Sequence, residues 1–237
     1  MVDVVRRRGE RSRGRAAERH EPLGVVAAHY ASMGWPVCLG ARPYRGARGS
    51  IEPGRACSCD RVGCPAPGAH PVSPAWQMQA TVDTNVITSW WEARPEANVI
   101  LVTGRVFDVL DVPAAAGSAA LAGMEEAGTA VGPVSGLGQD RMLFYVMTRG
   151  SPADEDEWWS CGLDSEPESV TPGLRWHCRD SYVLAPPSVY GAGLAARWLR
   201  SPREHPLPDA LRLLEYLVDA CEAWIAQPEC GPVRPGP

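Results

Sequence analysis

Lysine is absent from all 237 residues, so the 23 basic positions are all arginine. That excludes the lysine of a Walker-type phosphate loop and any Schiff-base chemistry. Long apolar runs are missing too. The start, Met1 to Arg8, carries charge without a signal-peptide core behind it, and no stretch approaches the length of a membrane span, so a cytoplasmic protein with no membrane partner is expected. An overall basic surface is also lacking. The formal net charge is -5, which does not advertise a strong nucleic-acid binder, although local charge can differ. The lysine-free, Arg-, Ala-, Gly- and Pro-rich usage is what a high-GC genome produces, so the arginine excess says little about function. Arginine would still serve a phosphate contact well, because its planar fork binds oxyanions through two donors.

What is present suits one domain with tails: 45% hydrophobic content over this length buries one substantial core. Residues 1–21 read as a disordered Arg-rich arm, 22–227 as the folded domain and 228–237 as a Pro/Gly-rich tail. Leu23, Val26, Ala27, Tyr30 and Met33 recur at helical spacing before Gly34. A second helix is announced by Asp83 or Thr84 and runs through Trp90-Trp91 to Arg94. The β-branched runs 98–104 and 106–111, split by a Gly-Arg turn, predict an antiparallel hairpin. Further elements are a helix over Ala114 to Ala127, strands at 131–135, 142–148, 174–178, 182–185 and 195–199, and a closing amphipathic helix over 208–226 with Leu211, Leu214, Leu217, Val218 and Cys221 inward. Helices mixed with hairpins indicate α+β, with a mixed, largely antiparallel sheet flanked by helices.

Eight cysteines in this context read as thiols or metal ligands rather than a disulfide framework. Cys57, Cys59, Cys64 and His70 fall within fourteen residues of a loop rich in Gly and Pro. Three thiols and an imidazole suit tetrahedral zinc and leave no open position for water, so the inserted knuckle 57–70 is expected to be structural. Ordinary loop cysteines are the alternative. The scattered Cys38, Cys161, Cys178, Cys221 and Cys230 suit small buried positions, with Cys38 the one substitute ligand.

The knuckle, the Trp90-Trp91 helix, the Leu110-Asp111-Val112-Pro113 strand and the Ser181-to-Ser188 segment ending Ala-Pro-Pro-Ser follow one another in an order that resembles the bifunctional DNA primase/polymerase (prim-pol) N-terminal domain of the archaeo-eukaryotic primase superfamily. Within that family it resembles the short stand-alone form common in actinobacteria. The resemblance covers roughly residues 23 to 200 and implies a primase/polymerase-like fold, a role in DNA replication and, in an active member, Mg²⁺ or Mn²⁺ at paired carboxylates.

The chain departs from that pattern where the chemistry resides. An Asp-x-Asp strand puts two carboxylates on one face to hold divalent cations. Here Asp111 fills the first position and Pro113 the second. Asp108, three residues away, belongs to the opposite face of a regular strand unless a bulge turns it, and Asp180 stands near the family's third acidic position. The family's Ser-Gly-Gly-x-His turn aligns with the stretch from Ser135, with Met142 in the place of the phosphate-contacting histidine. Ser135, Arg141, His177 and Arg179 are the remaining candidates for nucleotide or phosphate contact; for Arg141 a solvated strand end, and for His177 a structural role, are the alternatives. The expectation is a catalytically degenerate domain that binds DNA, nucleotide or a replication or regulatory protein. An active polymerase using Asp108, Asp111 and Asp180 is the alternative, and an interaction module using Trp158-Trp159 is a third reading.

Overall fold

The computed structural model describes residues 21–44, 57–59, 61–148, 171–191 and 193–227. The arm over residues 1–20, the acidic run at 154–157, Trp158-Trp159, Cys161, Cys230 and the 228–237 tail lie outside them.

Elements follow the chain as α1 (Leu23–Ser32), β1 (Val37–Gly40), α2 (Trp76–Gln79), α3 (Thr84–Ala93), β2 (Asn98–Val102), β3 (Phe107–Pro113), α4 (Ala114–Glu126), β4 (Val134–Leu137), β5 (Arg141–Met147), β6 (Arg175–His177), β7 (Tyr182–Leu184), β8 (Val189–Tyr190), β9 (Leu194–Arg200) and α5 (Ala210–Ile225). The fold is α+β, and every strand pairing among the described residues is antiparallel. A three-stranded sheet has the order β1-β2-β7 and a six-stranded one the order β6-β3-β5-β4-β9-β8.

The expected hairpin between the 98–104 and 106–111 runs does not form. β2 has both edges filled by β1 and β7, and β3 has both edges filled by β5 and β6. The chain changes sheets at Gly104, whose φ of +81 suits glycine. A Cβ there would meet the Arg179 Cα at 2.2 Å. Thr103 N–H donates to the Ser181 carbonyl, which ties the crossing to the start of β7.

Alternation along β3 and β5 sorts their side chains onto two cores. Phe107, Val109, Leu143 and Tyr145 pack with α1, α3 and the small sheet, whereas Leu110, Val112, Met142, Phe144 and Val146 pack with α4 and α5. The N-cap expected near residue 83 is Asp83, whose carboxylate accepts from Asn85 and Val86 N–H. In α5 the buried face is Ala210, Leu213, Leu217 and Cys221. Leu211 is 42% exposed, a correction to the helical-wheel phase, because the 3.6-residue spacing that includes Leu217 and Cys221 reaches back to Leu213. Cys38 and Cys221 are buried free thiols, whereas Cys178 is disulfide-bonded.

Candidate functional site

The knuckle is built by pairing with the edge of β1. Val72 N–H donates to the Leu39 carbonyl and Ala41 N–H to the His70 carbonyl, so the loop returns beside the strand it left. Its base is clamped by Asn98, fully buried at the start of β2. The Asn98 amide nitrogen lies within 2.8 Å of the Ala41 and Gly68 carbonyls and 2.5 Å of that of Val189, and its Oδ1 accepts from Val189 N–H. A buried amide with its donors and acceptor satisfied fixes one arrangement of three segments.

Within this frame the ligand atoms of Cys57, Cys59, Cys64 and His70 all lie within 4.8 Å of one another. His70 Nε2 is 3.3 Å from Cys57 Sγ and 3.5 Å from Cys64 Sγ. His70 Nδ1 is 2.8 Å from the Pro71 carbonyl, which can only accept, so the proton sits on Nδ1 and the Nε2 lone pair faces the thiols. The Arg61 backbone N–H draws the Cys59 thiol down to about 7, while burial pushes Cys64 up to about 11. Three sulfurs and one nitrogen at these separations fit a tetrahedral zinc ion. The substitute ligand weighed for this site, Cys38, lies instead in the small-sheet core, where burial pushes its thiol up to about 12.

The second candidate site lies on β3. Asp111, with a side chain 7% exposed, faces away from α4 and α5. Arg141 Nε donates to its Oδ1 at 2.7 Å, and Arg141 Nη2 donates to the Asp111 and Gly173 carbonyls. His177 Nε2 lies 3.4 Å from Asp111 Oδ2, and its Nδ1 is 2.9 Å from Ser181 Oγ. The remaining carboxylates do not join this group. Asp108 stands on the helix-facing side, where its Oδ2 accepts from Trp176 Nε1, and the unbroken β3–β5 register shows no bulge to turn it. Asp180 occupies an exposed turn at φ +57, where Arg179 approaches it at 3.8 Å; both line a separate cavity of about 300 Å³ with Thr103 and Arg105. Among the described residues, the knuckle is the one cluster of three or more His, Cys, Asp or Glu side chains placed to share an ion. Among the described residues, Asp111 therefore stands without a second carboxylate beside it to share a pair of divalent cations.

Ser135 and Met142, the two ends of the family's Ser-Gly-Gly-x-His stretch, are both buried. Ser135 is fully buried with its hydroxyl 3.2 Å from that of Tyr145, a phenol that burial holds above its ordinary value. Met142 pairs with Val112 and packs on Gly117 of α4, so its side chain lies on the face opposite Asp111. Arg141, which pairs with Pro113, occupies the Asp111 face instead. The resemblance puts Met142 in the histidine's place, and the register of β5 against β3, which decides the face of each side chain, is not visible in either strand.

Two antiparallel sheets, helices outside them and a Cys₃His knuckle on the edge of the smaller sheet define an α+β domain with one candidate structural metal site. A model of the bifunctional DNA primase/polymerase N-terminal (Prim-Pol) domain matches residues 27–210, and the chain belongs to that family. No curated protein matches the chain.

Proposed function

We propose that this Prim-Pol domain has lost two-metal nucleotidyl transfer and acts by binding nucleic acid or nucleotide, with the knuckle holding a structural zinc. The observation that carries the reading is the state of Asp111. It is the single carboxylate that β3 presents on its face, and a guanidinium already occupies it at 2.7 Å. The next position on that face is Pro113, which has no ligand atom. Phosphoryl transfer of this kind relies on positioning and on cations that neutralise developing charge, and both depend on carboxylates that can share two ions.

The fold retains surfaces suited to binding. Arg105 and Arg179 stand at one cavity, with Arg105 also donating to the Gln77 carbonyl. Family membership supports a nucleic-acid or nucleotide ligand and a place in DNA replication. A replication or regulatory protein is the partner such a domain would serve without a polymerase activity of its own.

Primer extension on a defined template with Mg²⁺ or Mn²⁺ tests the reading. No incorporation above background is expected from the unmodified chain. The double variant Pro113→Asp with Arg141→His replaces the occluding cation and supplies a second carboxylate on the same face, and metal-dependent nucleotide binding is expected to rise. Extension by the unmodified protein that is abolished by both Asp108→Ala and Asp111→Ala would overturn the degenerate reading in favour of a rearranged, active site.

A further inference from the structure

A cleft of about 470 Å³ separates the 71–81 segment from α3 and has no part in either site above. We propose that it receives a nucleobase together with its adjoining phosphate; the proposal deepens the binding reading and rests on it.

Two indoles line the cleft from different elements, Trp76 on α2 and Trp90 on α3. Trp76 is braced edge-on by Tyr182, with centroids 5.1 Å apart and planes at 77°, so its orientation is set before any ligand arrives. The double tryptophan of α3 divides its labour. Trp91 is buried and donates its Nε1–H to the Ala97 carbonyl at 2.9 Å, whereas Trp90 is partly exposed and faces the cleft. A flat apolar wall suits the π-face of any base. Ser73, Gln79 and Ser89 add polar groups at the walls, able to meet the edge of a base. Among the described residues, Arg94 is the single charged side chain lining the cleft, in a chain whose net charge is -5. A cationic fork beside aromatic walls matches a planar base joined to an anionic phosphate, and the volume lies within the ordinary range of ligand clefts. That chemistry is offered both by an unpaired nucleotide within a strand and by a free nucleotide.

The test is fluorescence anisotropy of fluorescein-labelled dT12 with the full chain, its abasic counterpart of equal length, and dTMP as competitor. Trp90→Leu is expected to weaken dT12 binding about tenfold, the scale of one lost base stack. Arg94→Gln, at an exposed helix end, is expected to weaken it severalfold and to lower the salt slope by about 0.7, one phosphate contact on a single strand. Because Trp90 also touches the core, the arginine variant carries the test if the tryptophan variant does not fold. The abasic strand should bind as weakly as the Trp90 variant does. Competition by dTMP that is lost in the same variants assigns the site to free nucleotide, and failure of dTMP to compete assigns it to a strand. Unchanged affinity in both variants, or full affinity for the abasic strand, overturns the cleft assignment alone. No binding of dT12 or dTMP by the unmodified chain overturns the binding reading and the cleft with it.

Discussion

Arg141 lies diagonally across from Asp111, two positions out of register on the neighbouring strand, and its Nε reaches back 2.7 Å to the carboxylate. Diagonal neighbours on one face of an antiparallel pair are within reach of long side chains. The contact is therefore a product of strand pairing, and it ties β3, β5 and the Gly173 turn together through one guanidinium.

Removing that guanidinium leaves a nearly buried carboxylate without its partner. Arg141→Ala is expected to lower stability by about 1–3 kcal/mol, the cost of leaving a buried acceptor without its partner. Urea denaturation measures it. A change under about half a kcal/mol would mean that water replaces the arginine freely and that Asp111 is open to other cations.

Protein purified without chelator should carry one zinc by elemental analysis, because the apolar cluster described for the fourteen-residue knuckle, around Ala41, Cys57 and Cys64, is too small to serve as a core. Cys59→Ser should raise amide exchange across residues 57–75 while protection in β3 and β5 is unchanged. Loss of protection in β5 would show that the knuckle supports the whole domain.

Gly117 in α4 faces Met142, where an added Cβ would stand 2.9 Å from both the Met142 Cβ and Sδ. On an exposed helix, Gly→Ala gains up to about 1 kcal/mol. Here the steric term reverses the sign, and Gly117→Ala is expected to lower the melting temperature. A rise would mean that β5 and α4 can separate at little expense.

Burial pushes the Cys38 thiol up to about 12 and the Cys221 thiol up to about 11. For an acid whose folded pKa is raised, the native state keeps its proton where the unfolded chain has lost it. Stability is then complete below the unfolded thiol value and falls as pH rises through the folded one. Both thiols should resist iodoacetamide in native protein at pH 8, and melting temperature should decline between pH 9 and 11. Rapid native labelling of Cys221 would show that α5 opens locally.

Local features were legible in the sequence and pairings were not. The four knuckle ligands fall within fourteen residues, so composition alone brought them together, and the Asp83 cap and the strand carrying Asp111 depend on neighbours within a turn or a pleat. The partners of β2 and β3 include segments about 65 to 85 residues downstream, and a turn-like Gly-Arg pair is equally compatible with a hairpin and with a change of sheet. The same non-local register decides that Arg141 rather than Met142 shares a face with Asp111. Asn98 was overlooked as a site residue because it reads as the polar start of an apolar strand. Its role comes from carbonyls contributed by residues 41, 68 and 189.

The crossing at Gly104 has a mechanical meaning. Backbone rests directly on backbone there, with Thr103 Oγ1 donating to the Cys178 carbonyl at 2.6 Å beside the Thr103–Ser181 bond. Between Gly104 and the facing Cys178–Arg179 backbone no side chain intervenes that could change rotamer and let the contact give. The two sheets meet as a weld rather than a hinge, and the separation of Asp111 on one from the Arg105 cavity beside the other is held to the dimension of a missing methyl group.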